Sequence, residues 1–184
     1  MKTPLLACGL VAAALAYAAH PLKAGGQEAA ELASASKASL QSLMATVPAA
    51  KALANEAEAI LVFPKITKAG LGIGGQYGEG ALLKKGSAVA YYKTTGASFG
   101  LQVGGQQYGY AMFFMNAKAL SALDSANGFE IGVGPSVVVM DEGMAKSSTT
   151  TTRKDDVYAL IFGQKGLMAG LGLQGNKITK ITPN

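Results

Sequence analysis

Between residues 61 and 75 the chain reads Leu-Val-Phe-Pro-Lys-Ile-Thr-Lys-Ala-Gly-Leu-Gly-Ile-Gly-Gly, and this stretch narrows the folds open to it. Pro64 lacks an amide hydrogen and drives Phe63 out of the α region, so any helix before it must end. Beyond it, glycines at 70, 72 and 74 recur at every second residue and share one face of an extended strand. A strand face without side chains lets another backbone approach closely or lets the sheet bend sharply. The same texture returns at Phe99–Gln106 and at Gly166–Leu173. Three such strands imply a small, strongly coiled antiparallel sheet or barrel. Their spacing is uneven, which argues against a solenoid or propeller.

The residues before this stretch are strong helix formers. From Gln27 to about Thr46, Leu32, Leu40, Leu43 and Val47 fall near one helical face. Pro48 ends that helix, and Ala49 to about Ala59 form a second. Ile60 to Phe63 read as a buried apolar turn or short strand. The remainder is mostly β, with strands expected near 68–76, 79–84, 87–94, 97–115, 128–133, 136–141, 146–153, 156–162, 166–174 and 177–181. Gly78, Gly80, Gly86, Gly96 and Gly175 mark turns between them. One helix interrupts the β half. Asn116 caps it, Ala117 to Ser125 form it, Leu120 and Leu123 face the core, and Asn127-Gly128 close it through a left-handed turn. The fold class expected is α+β: N-terminal helices, a coiled antiparallel sheet or barrel, and one inserted helix.

The first residues read as a targeting segment. Lys2 precedes an apolar run from Leu5 to Leu15, and Ala16-Tyr17-Ala18 is a small-x-small cleavage site. The expected organisation is a signal peptide over 1–18, with cleavage as late as 24 as the second choice. A linker follows over 19–26, then a single domain over 27–184 with helices at about 27–59 and a β-rich part at about 60–182. The apolar run is too short to span a bilayer. Leu5-Leu6-Ala7-Cys8 looks like a lipobox. Only seven residues precede Cys8, so a small apolar residue within the signal is the favoured reading, and lipidation the second. Cleavage would remove Cys8, and His20 lies in or beside the removed segment, so the domain must hold together without disulfides.

Charge and chemistry exclude several classes. The 184 residues carry a formal charge of +5, but the lysines are scattered and Arg153 is the sole arginine, so nucleic acid is not an expected partner. Gly70-x-Gly72-x-x-Gly75 matches a dinucleotide fingerprint literally, but Gln76-Tyr77-Gly78-Glu79-Gly80 cannot open the helix which that chemistry needs. Asp141-Glu142 and Asp155-Asp156 are adjacent carboxylates, and adjacency does not place two acids across a scissile bond. Ser147 to Thr152 offer six hydroxyls with no histidine to activate them, so a solvent-facing strand is the plain reading. No catalytic residue, metal or cofactor is expected.

Lys65, Lys68, Lys84 and Lys85 cluster in sequence around the first hairpin. Gathered on one face, they would attract an acidic membrane by about 1 kcal/mol each; the plain alternative is a solvated rim. Leu40, Leu43 and Met44 of the first helix could insert among lipid chains. With Glu28 and Glu31 against Lys37 alone, that helix lacks a basic polar face, and core packing is the competing reading.

These segments together resemble the SYLF domain family over about Ser39 to Ile181. The resemblance rests on Phe63-Pro64-Lys65, then Lys68-Ala69-Gly70, Gly74-Gly75, Gly78 and Gly80. It continues through Gly100, Gly104-Gly105-Gln106, Gly134, Lys165-Gly166-Leu167, Gly170, Leu173 and Gly175. It implies a compact β-rich domain with N-terminal helices that binds membrane lipid, often acidic phospholipid or phosphoinositide, without catalysis. The family includes actin-associated members, but actin is not an expected partner for an exported chain. The function expected is therefore a non-enzymatic lipid-binding protein of the bacterial envelope, periplasmic or secreted and peripheral on the inner or outer membrane. The alternative is a structural protein that binds another envelope protein.

Overall fold

The computed structural model describes residues 25–125, 128–147, 155–165 and 175–183. Helix α1 spans Gly25–Thr46 and α2 spans Pro48–Glu56. Pro48 occupies the first turn of α2, where its missing N–H is harmless, so one proline ends the first helix and starts the next. Strand β1, Ala59–Lys84, and strand β2, Ser87–Phe114, then pair antiparallel from end to end. The strands expected at 68–76 and 79–84 are one strand, as are those at 87–94 and 97–115. Ile60 to Phe63 open β1 rather than forming a turn. Gly78, Gly80 and Gly96, read as turns, lie inside strands, whereas Gly86 and Gly175 do sit in turns.

Strand β2 is the hub. One edge carries β1. The other pairs antiparallel with β6, Lys177–Ile181, through Tyr91–Thr95, and with β5, Val157–Lys165, through Gln107–Phe114. The two-residue β3, Phe129–Glu130, pairs with β6, and β4, Val137–Asp141, pairs with β5. The six described strands form one sheet curled into a half-barrel, and the α+β expectation holds. The sheet is mixed rather than antiparallel, because β4 and β5 run parallel. The cause is a second inserted helix, α4, Glu142–Ser147, which the sequence reading assigned in part to a strand. A parallel pair needs a long crossover, and residues 142–156 supply it. The first inserted helix, α3, is Ala117–Ser121, and a 3-10 turn extends it to Asp124. Asn116 caps it as expected, accepting from the Ala119 amide at 2.8 Å. The expected strand over 146–153 and that over 166–174 fall almost wholly outside the described residues.

Both faces of the sheet are buried, so Ile60-Leu61-Val62-Phe63 is apolar at every position. Leu61, Phe63, Tyr110, Met112 and Phe114 point into the half-barrel, with Phe63 and Tyr110 ring centroids 4.7 Å apart. Ile60, Val62, Ala111 and Phe113 point outward, where Leu40, Leu43, Val47 and Leu53 of α1 and α2 cover them. The buried Ser36 hydroxyl donates to the Val62 carbonyl at 3.2 Å and ties α1 to β1 next to Pro64.

The β1–β2 ribbon does not lie flat. A Cβ on Gly78 would stand 2.7 Å from the Lys65 carbonyl, and one on Gly80 would stand 2.8 Å from the Phe63 ring. The last third of β1 is thus stacked on its own first third, backbone against backbone. Register shifts at Phe63/Ile66 and Leu71/Ile73 let the ribbon turn between them. Glycine permits a close backbone approach here, and it acts at 78 and 80, which the sequence reading takes for turns.

Candidate functional site

The hairpin joining β1 to β2 is a two-residue turn, Lys85-Gly86, between the paired Lys84 and Ser87. Lys85 has φ 49° and Gly86 φ 76°, the left-handed pair that a tight hairpin requires. Asparagine or glycine takes the first of these positions readily, and a lysine there carries conformational strain. The turn presents two adjacent exposed lysines, Lys84 and Lys85, at the tip of the ribbon.

Behind the tip lies a groove of about 400 Å³. Its walls are the end of α2 and the following link, with Glu56 and Glu58, and the tip residues Leu83 to Gly86; Leu40, largely buried, touches its lining. Positive charge on one wall faces negative charge on the other. At long range the two partly cancel, so the groove acts on groups that come within a Debye length, about 10 Å at moderate salt.

The four sequence-predicted lysines do not form one patch. Lys65 is exposed at the register shift after Phe63. Gly78 packs on Lys65 and Ile66, and Gly80 on Val62 and Phe63, so Lys84 lies level with about Glu58. That puts it about seven residues, or roughly 23 Å, along the strand from Lys65. Lys68 is buried, with 6 % of its surface exposed, and faces the interior of the half-barrel. The first helix also departs from the insertion reading. Leu40 and Leu43 are buried at 7 % and 3 % exposure against Ile60, Val62 and Phe113, and Met44 packs beside them. Their apolar surface is used in the core, which is why α1 needs no basic face. Sequence reasoning missed the groove, because its walls come from segments whose meeting depends on the doubled ribbon.

The carboxylates have structural partners. Asp141 accepts from the Met144 amide at 2.8 Å and caps the first turn of α4, while Glu142 accepts from the Gly163 amide at 3.1 Å. Asp156 accepts from Asn116 Nδ2 at 2.8 Å and from the Ser136 amide at 3.1 Å. These bonds, the Asn116 bond first, hold its carboxyl below the usual aspartate range. Gly70, Gly72 and Gly75 lie in mid-strand with no helix after them, so the dinucleotide pattern has no phosphate-binding geometry. Among the described residues, no three His, Cys, Asp or Glu side chains gather as a metal site, and no helix is long and apolar enough to cross a membrane.

The family model described as "Ysc84: Las17-binding protein actin regulator" matches residues 95–182. No curated protein matches the chain. The matched span begins about a third of the way along β2 and runs through β6, so it holds most of the sheet's hub and leaves out β1, the lysine tip and both N-terminal helices. It is a family of lipid- or actin-associated binding domains. Over residues 95–182, just under half of the chain, the protein is similar to the Ysc84 (SYLF) family, the same family that its sequence motifs resemble.

Proposed function

We propose that this protein is a non-enzymatic lipid-binding domain that docks on a bacterial envelope membrane through the tip of its long hairpin. The observation that supports this most is Lys85. A charged residue is held in a left-handed conformation at the exposed tip of the ribbon, next to Lys84 and at the rim of a groove. Strain kept at an exposed turn points to a use for the side chain there. Lys84 and Lys85 meet the phosphate of an acidic phospholipid, and Lys65 adds a separate contact further along the ribbon. The opposing Glu56 and Glu58 make recognition short-ranged, so a phosphate bearing an amine is also accommodated. An N-terminal signal would place the protein in the periplasm or outside the cell. The rival reading, a protein partner in place of lipid, draws on the family's description as a Las17-binding actin regulator.

The test is co-sedimentation with phosphatidylcholine vesicles containing rising phosphatidylglycerol, at low and high salt. Binding should grow with phosphatidylglycerol, fall with salt, and drop at least tenfold in the Lys84→Glu/Lys85→Glu double variant. Binding that ignores lipid charge, or an unaffected double variant, would refute the tip as the contact. Absence of binding to every vesicle would favour the protein partner.

A further inference from the structure

Side chains two apart on a strand share a face, and β2 breaks this rule beside its turn. Ala88 packs with Leu83 in the cluster under the helices, whereas Ala90 packs in the interior of the half-barrel. The register gives the reason. Leu83 lies opposite Ala88 and Leu82 opposite Ala90, so β2 carries one residue more than β1 between these pairs. That residue is Val89, and the irregularity is a β-bulge. Beyond it the alternation resumes, with Tyr91 toward the helices and Tyr92 in the interior.

The bulge leaves Val89 on neither core face. Its side chain is 57 % exposed, while Ala88 and Ala90 are half-buried. A lone exposed valine on the flank of a protein needs no explanation. This one is turned out of the core by a bulge, three residues from Gly86, and shares the tip with the exposed pair Lys84 and Lys85. Bulges re-aim side chains, and a polar residue would fill this one equally well for folding. The tip is therefore amphipathic, with two cations and an apolar side chain in one turn. The flank is also open. Strand β6 pairs with β2 only from Tyr91 onward, so the edge at Ser87 to Ala90 carries no strand among the described residues.

We infer that Val89 is the apolar anchor of the tip, entering the boundary between head groups and acyl chains of the acidic bilayer whose phosphates Lys84 and Lys85 meet. The inference rests on the membrane-docking reading and adds an orientation to it. Val89 stands three residues behind Gly86, roughly 10 Å along the strand. It reaches the bilayer when the ribbon lies obliquely, with the β2 flank of the tip against the lipid, and not when the ribbon stands on end. Lysine stems are long enough to hold their ammonium groups at the phosphates while the valine goes deeper. Backbone N–H and C=O groups on the strandless edge are costly to carry into hydrocarbon, which limits entry to the interfacial layer.

The chain has no tryptophan, so Val89→Trp installs a single reporter. Tyr77→Trp is the control: Tyr77 is also exposed, at 49 %, but lies about seven residues, or roughly 23 Å, along β1 from Lys84. Each full-length variant is titrated at low salt with phosphatidylcholine–phosphatidylglycerol vesicles, with and without acyl chains brominated near the head group. Emission from Val89→Trp should move to shorter wavelength and be quenched by the brominated lipid, and Tyr77→Trp should do neither. Independently of any reporter, Val89→Ser should weaken vesicle binding roughly fivefold while keeping its dependence on phosphatidylglycerol and the wild-type Tm. Co-sedimentation of the same samples separates this inference from the reading beneath it. A Val89→Trp protein that sediments with vesicles yet is neither shifted nor quenched overturns the anchor and leaves the lysine contact standing. Equal responses at 77 and 89 also overturn it, as does a Val89→Ser protein that binds as tightly as the wild type. A wild-type protein that sediments with no vesicle overturns the docking reading, and the anchor with it.

Discussion

At Lys85 a single backbone angle separates stability from use. Its φ of 49° costs a lysine more than an asparagine, the residue that the same turn prefers. Lys85→Asn should therefore stabilise the protein by roughly 0.5–1 kcal/mol in urea titration while lowering its affinity for acidic vesicles. A variant that loses stability would show that the lysine is held by contacts other than its charge. Asp156 makes a second prediction at this scale. Its folded pKa is depressed by Asn116 and Ser136, so its contribution to stability is present above the ordinary aspartate value of about 4 and is lost as pH falls through the folded one. Asp156→Asn should thus be less stable than wild type at neutrality, and the gap should close on acidification below about pH 4, measured by urea unfolding across pH. Part of this was legible. Asn116 announces a cap, whereas Asp155-Asp156 reads only as a pair of adjacent carboxylates without catalytic geometry. The long-range bonds of Asp156 to Asn116 and Ser136 leave no mark in local sequence.

Among the elements, the ribbon decides most of the architecture, and its glycines divide into two kinds. Gly80 lies against the backbone of Val62 and the ring of Phe63, where neither neighbour can yield. Gly75 has only the Gly96 carbonyl, 3.8 Å from where its Cβ would be. Gly80→Ala should cost about 3 kcal/mol or more, whereas Gly75→Ala should be neutral or stabilising by about 0.5 kcal/mol, as thermal unfolding of the two variants would show. The sequence pattern shows that glycine-faced strands approach something. It does not show that β1 approaches itself, because register shifts at Phe63/Ile66 and Leu71/Ile73 set where the ribbon bends. The same difficulty hid the ends of the strands. Gly78 and Gly80 look like turn residues until the close approach that excludes a side chain is known. Helix α4 went unread because Glu142 to Ser147 is short and its Gly143 breaks a helical pattern, while the cap from Asp141 that fixes it is a matter of geometry.

Across the whole molecule, two hydrophobic clusters on opposite faces of one sheet account for the absence of a spare apolar face on α1. Leu40 and Leu43 are needed where they are. The doubled ribbon also sets an order of events for a newly made chain. Lys85-Gly86 is the only local contact in a hairpin whose far ends, Ala59 and Phe114, are 55 residues apart, so pairing has to start at the turn and zip outward. The seats for Gly78 and Gly80 do not exist until Val62 to Ile66 have paired, well down the zipper. Substitution of Lys85 should accordingly change the refolding rate, and Gly80→Ala should chiefly speed unfolding, in a stopped-flow chevron. The tip that would meet the membrane is then also the first part of the protein to take shape, and a defect there would delay maturation before it ever weakened binding.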